Sequence, residues 1–291
     1  MASRKRTKFR DVLFRRFIPR DAHSSLRLWL VGSWEDRTPQ LISDFNTDPV
    51  LVLAPHPDDE VIGPGGTVRR HILAGAPVTV AILTDGRWGG YNADGTLVER
   101  RKQESRRAAE ILGAPPPVFF DAPDCNLQET SELLARVGKL FTEKKPKYVY
   151  LPALSDGHPD HWSTNRLVNA LFPTLPREMS RRIILRGYEV WTPALANRYV
   201  DITSMVDLKR QAIEAFPSQT SSDDYAAAAL GLNRYRSLQH LHGRGYAEAF
   251  NQMTADEFRY LFTAASLRHK VPPTPNPDLA PVQRAASFSP K

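Results

Sequence analysis

The chain has 291 residues, 41% of them apolar, which is enough to bury a core of its own as one large domain or two small ones. Its net charge of +7 is confined to residues 1–20, where eight Lys and Arg face one Asp; the rest of the chain sums to zero, which excludes a nucleic-acid-binding body with its own basic face. The single cysteine, Cys125, excludes an internal disulfide and a multi-thiolate metal site, so any metal must take nitrogen and oxygen ligands.

In chain order, the basic arm comes first. Its charges are interleaved with Phe9, Val12, Leu13, Phe14, Phe17 and Ile18. Two readings stay open: a solvated arm, or a short amphipathic helix in peripheral contact with an anionic membrane. No stretch approaches the ~20 apolar residues of a spanning helix, and no signal peptide is visible, so a soluble, cytoplasmic protein is expected. Residues 1–45 are read as this arm and its lead-in.

Strand-like runs then fall at 50–54, 78–84, 118–121, 148–152 and 183–190, with helix-like stretches between them. That alternation predicts an α/β fold: a Rossmann-like, mainly parallel sheet flanked by helices, with helical additions at the C-terminal end. A first helix should start at Gly65-Gly66 and stop at Gly75. A second should span 97–112 and stop at Gly113, carrying Arg101 and Glu104 as an i, i+3 ion pair. Between these two helices, "ILTDGRWGGYNADG" reads as a glycine-rich lip or as a plain surface loop. Beyond Asp207 the pattern is helical through Ala215 and again over 225–241. Residues 269–291 are rich in proline and poor in apolar residues, which predicts a disordered tail. The catalytic body is thus expected over 46–268.

In open parallel sheets, ligands collect beyond the carboxyl ends of the strands. Two polar clusters lie there. "APHPDDE" follows the first strand with His56, Asp58, Asp59 and Glu60, and "SDGHPDH" follows the fourth with His158, Asp160 and His161. One His-Pro-Asp is commonly a turn, with the aspartate as a helix cap. Two at predicted strand ends point instead to a nitrogen and oxygen metal site with a position open for water. The glycines of "GPGGTV" lack the G-x-G-x-x-G spacing, no G-x-S-x-G elbow occurs, and no nucleotide cofactor is expected.

The paired motifs resemble the signatures of the PIG-L/LmbE-like family of zinc-dependent N-acetylglucosamine de-N-acetylases. "LTDG" at 83–86, Arg101 with Glu104, "LG" at 112–113, Asp124 and "YAEAF" at 246–250 extend the resemblance. The alanine usual before the first histidine is Pro55 here. The resemblance implies His56, Asp59 and His161 as zinc ligands, with Fe2+, Co2+ or Mn2+ as other cations that such ligands accept. It implies Asp58 as the general base that takes a proton from the attacking water, and His158 as the group that stabilises the oxyanion or protonates the leaving amine. Asp160 is expected to orient His158 or to cap the helix after it. Arg87, Trp88 and Asp124 are expected substrate contacts. The implied substrate is a small-molecule or lipid-linked N-acetylated amino sugar. Two other readings stay open: a metal-dependent hydrolase of another acyl or phosphoester group, and a non-catalytic carbohydrate-binding member of the fold.

Overall fold

The computed structural model describes residues 39–89, 95–221 and 223–266. The basic arm, part of the glycine-rich lip and the proline-rich tail lie outside the described residues.

The sequence Val-Leu-Val-Leu-Ala builds β2 (Val50–Ala54), all five residues of which are buried. A strand apolar on both faces belongs in the middle of a parallel sheet covered on both sides. β2 indeed pairs in parallel with β3 (Val78–Thr84) and with β5 (Tyr148–Pro152). Outward from these lie β4 (Val118–Ala122), parallel to β3, and β6 (Ile184–Tyr188), parallel to β5. β8 (Ala247–Thr254) runs antiparallel between β6 and β7 (Arg198–Asp201), and β1 (Gln40–Leu41) closes the far edge beside β7. The order is β1-β7-β8-β6-β5-β2-β3-β4. The chain steps outward from β2 to β4 and then returns to the other side of β2 as β5. The topological switch point, where such sheets bind ligands, is therefore between β2 and β5.

Alternation along β2 divides the core. Leu51 and Leu53 face α4 (Ser131–Lys144), α5 (Pro159–Leu171) and α11 (Ala255–Ser266), meeting Val137, Phe141, Leu167 and Phe258. Val50, Val52 and Ala54 face α2 (Gly65–Leu73), α3 (Leu97–Leu112), α7 (Val206–Glu214) and α9 (Tyr225–Arg236), meeting Val68, Ala108, Ile213 and Ala226. Each large aliphatic side chain placed here contributes about 1.5–3 kcal/mol of burial. The short α1 (Asp59–Ile62), α6 (Arg177–Arg182), α8 (Pro217–Thr220) and α10 (Leu238–Leu241) link these layers.

The expected helix stop at Gly113 is present, with φ 70 in the left-handed region that glycine reaches without strain. The expected helix over 225–241 is two helices, parted at Ser237, whose Oγ donates to the carbonyl of Arg234 at 2.6 Å. The last of the expected strands is shorter than 183–190, since Glu189 leaves the sheet to accept the Ala194 N–H at 2.6 Å.

β7 falls in a stretch without an expected element, and β8 follows the stretch beyond Asp207 expected to be helical. Glu248 of β8 is buried because it caps α2, accepting the N–H groups of Gly66 and Thr67 at 2.7 and 2.8 Å. A Cβ on Gly66 would meet Ile202 at 2.6 Å, so only glycine lets the helix end come this close. The fully buried Lys209 of α7 donates to Glu248 Oε1 at 2.7 Å and to the Gly63 carbonyl at 2.9 Å. "YAEAF" is therefore a strand that ties α2 and α7 beneath the site loops. Among the described residues no helix is long and apolar enough to cross a membrane.

Candidate metal centre

β2 ends at Ala54, and His56 N–H turns back to donate to Asp59 Oδ2 at 2.9 Å. Asp58, at the N-terminus of α1, is held at φ 122, ψ −29, a backbone conformation that costs a non-glycine residue roughly 1–3 kcal/mol. Two partners hold it there. Glu60 Oε2 accepts the Asp58 N–H at 2.8 Å, and Arg101 donates to Asp58 Oδ2 at 2.9 Å. Arg101 also donates to the carbonyls of Pro57 and Gly86. The expected Arg101–Glu104 pair does not form, because Glu104 turns the other way and accepts from Ser218 N and Oγ.

The second loop leaves β5 and enters α5 with His158 as N-cap and Pro159 at the first turn. His158 Nδ1 accepts the Asp160 N–H at 3.2 Å. The proton of a neutral His158 ring must then sit on Nε2. Its ring centroid lies 4.7 Å from that of His56 and 4.9 Å from that of His161.

Each of the other two histidines has one nitrogen facing outward onto carboxylates and one facing inward. His56 Nε2 lies 3.2 Å from Asp124 Oδ1 and 3.1 Å from Asp160 Oδ2. His161 Nδ1 lies 3.1 Å from Asp156 Oδ1. These outer carboxylates are themselves anchored by backbone N–H groups: Asp160 by Cys125 and Leu127, Asp124 by Trp88, Asp156 by His158 and Trp191. The inner nitrogens, His56 Nδ1 and His161 Nε2, each come within 3.2 Å of the same atom, Asp59 Oδ2.

His161 makes no aligned hydrogen bond through either nitrogen although it is fully buried. A buried histidine with no aligned hydrogen bond, within reach of a carboxylate that a second histidine already meets, suits a shared cation, and histidines backed by carboxylates are the usual surroundings of one. Other groupings are also close: ring nitrogens of His56, His158 and His161, and the donor atoms of His56, Asp124 and Asp160, lie within 4.8 Å of one another. In the latter group each carboxylate accepts from a backbone N–H, as Asp59 Oδ2 does from His56. His56 Nδ1, Asp59 Oδ2 and His161 Nε2 form a further nitrogen and oxygen set that could hold a metal, with the His158 ring beside it.

The electrostatics agree with this division. Burial opposes a charge on His161, yet the Asp59 charge and the Asp156 contact raise its pKa to about 9. His56 is raised in the same way by Asp124, Asp160 and Asp59. The pocket thus gathers positive charge where a metal would displace protons. Asp58 behaves differently. Burial, and then the neighbouring Asp59 charge, push it up to about 7 against the pull of Arg101. Burial and the two nearby histidines depress His158 to about 4. Glu60, buried beside Asp58, is pushed up to about 8.

Residues 51–172 match the family model described as GlcNAc-PI de-N-acetylase. Over 190 residues the chain is 31% identical to diacetylchitobiose deacetylase of Thermococcus kodakarensis, covering 60% of this chain and 71% of the relative. The chain belongs to the GlcNAc-PI de-N-acetylase family. A second relative, the probable N-acetyl-α-D-glucosaminyl L-malate deacetylase 2 of Bacillus cereus, is 30% identical over 188 residues, or 60% of this chain and 84% of that one. The family's fold is shared with the solved N,N'-diacetylchitobiose deacetylase of Pyrococcus horikoshii (TM-score 0.61, 24% identity), across 80% of this chain and 88% of that one.

Some family-derived expectations meet a different geometry. The carboxylate of Asp160 does not orient His158; it faces His56, and only its backbone N–H reaches His158. Asp124 has both oxygens engaged, by His56 and by Trp88 N–H, so it is turned inward rather than toward a ligand. Arg87 is bound through its guanidinium to Asp85, and its side chain is 54% exposed. Trp88 is exposed at the mouth. Sequence reasoning missed Asp156, which stands in the quoted "SDGHPDH", and Trp191, whose ring lies 22° from parallel to that of His158 at 6.2 Å.

Proposed function

We propose that this chain removes the acetyl group from an N-acetylated amino sugar of the N-acetylglucosamine type, with residues 46–268 as its catalytic domain. His56, Asp59 and His161 hold the metal, which we take to be zinc, a cation suited to two imidazoles and one carboxylate. Bound there, the cation would supply Lewis acidity to the acyl oxygen and to a water molecule.

The remaining chemistry belongs to the chain. Asp58 takes a proton from the attacking water; a carboxylate near 7 suits a group that must both accept a proton and return it. Arg101 fixes which way Asp58 points. Neutral His158 donates from Nε2 to the developing oxyanion, because Nδ1 is committed as the acceptor of the Asp160 N–H. With His158 held near 4, the oxyanion role is favoured over proton donation. Asp58 then passes its proton to the nitrogen as the C–N bond breaks, leaving acetate and the free amine.

The observation that carries this reading is the meeting of His56 and His161 on one oxygen of Asp59, with Asp58 adjacent. The test is acetate release from N-acetylglucosamine and its conjugates by metal-loaded protein. A chelated sample and His161→Ala should both be inactive. Metal-independent acetate release would remove the reading. The basic arm suits contact with an anionic membrane and a lipid-linked sugar, and equal sedimentation with anionic liposomes by full-length protein and a variant lacking residues 1–20 would remove that part alone.

A further inference from the structure

The mouth of the site is spanned by four neighbouring strands, β6-β5-β2-β3. The inner pair carries the histidine loops. From each outer strand the chain leaves the sheet through a tryptophan: Trp88 after β3 and Trp191 after β6. Both are more than half exposed, at 53% and 59%, although tryptophan is among the side chains with most apolar surface to bury.

Neither is loosely attached. Trp88 N–H donates to Asp124 Oδ2 at 2.9 Å, and Trp191 N–H donates to Asp156 Oδ2 at 3.1 Å. These are the carboxylates that meet the outer nitrogens of His56 and His161. The backbone that carries each exposed ring is thus tied, through one buried carboxylate, to one histidine of the centre. An isolated exposed aromatic needs no explanation. Two of them, anchored in the same way on opposite flanks of one site, do.

Neighbouring strands lie about 4.8 Å apart, so the exits of β3 and β6 are separated by about 14 Å. That separation of the two exits exceeds the width of one pyranose ring. We propose that Trp191 and Trp88 are two separate carbohydrate platforms in one elongated groove, so that the preferred substrate is a disaccharide or longer. Trp191, beside His158, takes the C–H face of the ring whose acetamido group is cleaved, and Trp88 takes a second ring. An indole offers a broad apolar face while leaving the hydroxyls at the sugar's rim in water. This inference rests on the deacetylase reading and deepens it.

The test compares metal-loaded wild type with Trp191→Ala, Trp191→Phe and Trp88→Ala. It measures kcat/KM for acetate release from N-acetylglucosamine and from N,N'-diacetylchitobiose, calorimetric binding of both sugars, and metal content per chain as a check on folding. Trp191→Ala should lose about tenfold on both sugars, equivalent to about 1.4 kcal/mol, with most of the loss restored by phenylalanine. Trp88→Ala should lose about tenfold on the disaccharide alone. Equal effects of Trp88→Ala on the two sugars, or Trp191→Phe as poor as Trp191→Ala, would overturn the proposal. Sugar binding that follows the expected pattern without acetate release would leave the groove standing and remove the deacetylase reading. Acetate release indifferent to both tryptophans would do the reverse.

Discussion

Asp59 Oδ2 stands 3.2 Å from His161 Nε2, yet no aligned hydrogen bond joins the two buried groups. The same oxygen lies 3.2 Å from His56 Nδ1. This convergence separates the roles of adjacent acids. Asp59→Ala and His161→Ala should lose bound metal and activity together. Asp58→Asn should keep the metal and lower kcat by roughly 10²–10⁴-fold, the usual contribution of a positioned general base. Metal analysis after gel filtration, paired with acetate release, checks both. Loss of metal from Asp58→Asn would reverse the assignment of ligand and base.

The outer carboxylates make a second expectation. Asp156 touches His161 Nδ1 at 3.1 Å and Asp160 touches His56 Nε2 at 3.1 Å. Removing such a partner typically weakens metal affinity by about 10–100-fold. Asp156→Asn and Asp160→Asn should each show that loss in competition with a chelator, while retaining full occupancy at high metal concentration. Affinities unchanged from wild type would mean that the histidines are oriented by packing alone.

Much of the parallel sheet and its polar edge was legible because local chemistry and position agree there. Val-Leu-Val-Leu-Ala has no polar residue to expose, and the charged turn directly after it can only lie at the strand's carboxyl end. What escaped depends on long-range pairing. Glu248 makes β8 look unlike a buried strand, since its partners Lys209, Gly66 and Thr67 are distant in sequence. Arg101 and Glu104 have helical ion-pair spacing, but a distant backbone offered each a better partner: the carbonyls of Pro57 and Gly86 for one, Ser218 for the other. Asp124 and Asp160 read as independent site residues, whereas in space both carboxylates reach the single nitrogen His56 Nε2.

The Lys209–Glu248 pair predicts a stability effect remote from the chemistry. Both side chains are buried, at 0% and 1% exposure, so removing one leaves the other's charge without its partner. Lys209→Met should cost roughly 3–5 kcal/mol in urea unfolding. Lys209→Met combined with Glu248→Gln should cost less than the sum of the two singles, because the second change removes the stranded charge. Strict additivity would mean that the two groups act independently, Glu248 through its cap on α2 alone.

His71 gives the clearest pH dependence. It lies in α2 with Nε2 2.8 Å from Tyr150 Oη, and burial, followed by the Arg186 charge, depresses its pKa to about 3. The unfolded chain binds this proton below about pH 6.5 and the folded chain does not, so the unfolded state gains protons first as the pH falls. The stability that neutral His71 provides is therefore whole above pH 6.5 and is lost progressively between 6.5 and about 3. The loss proceeds at up to about 1.4 kcal/mol per pH unit. His71→Gln removes the titration while keeping a polar group for Tyr150. Urea unfolding at pH 7.5 and pH 5 should show wild type losing about 2 kcal/mol more than the variant over that interval. Parallel curves for the two proteins would mean that His71 accepts its proton in the folded state after all.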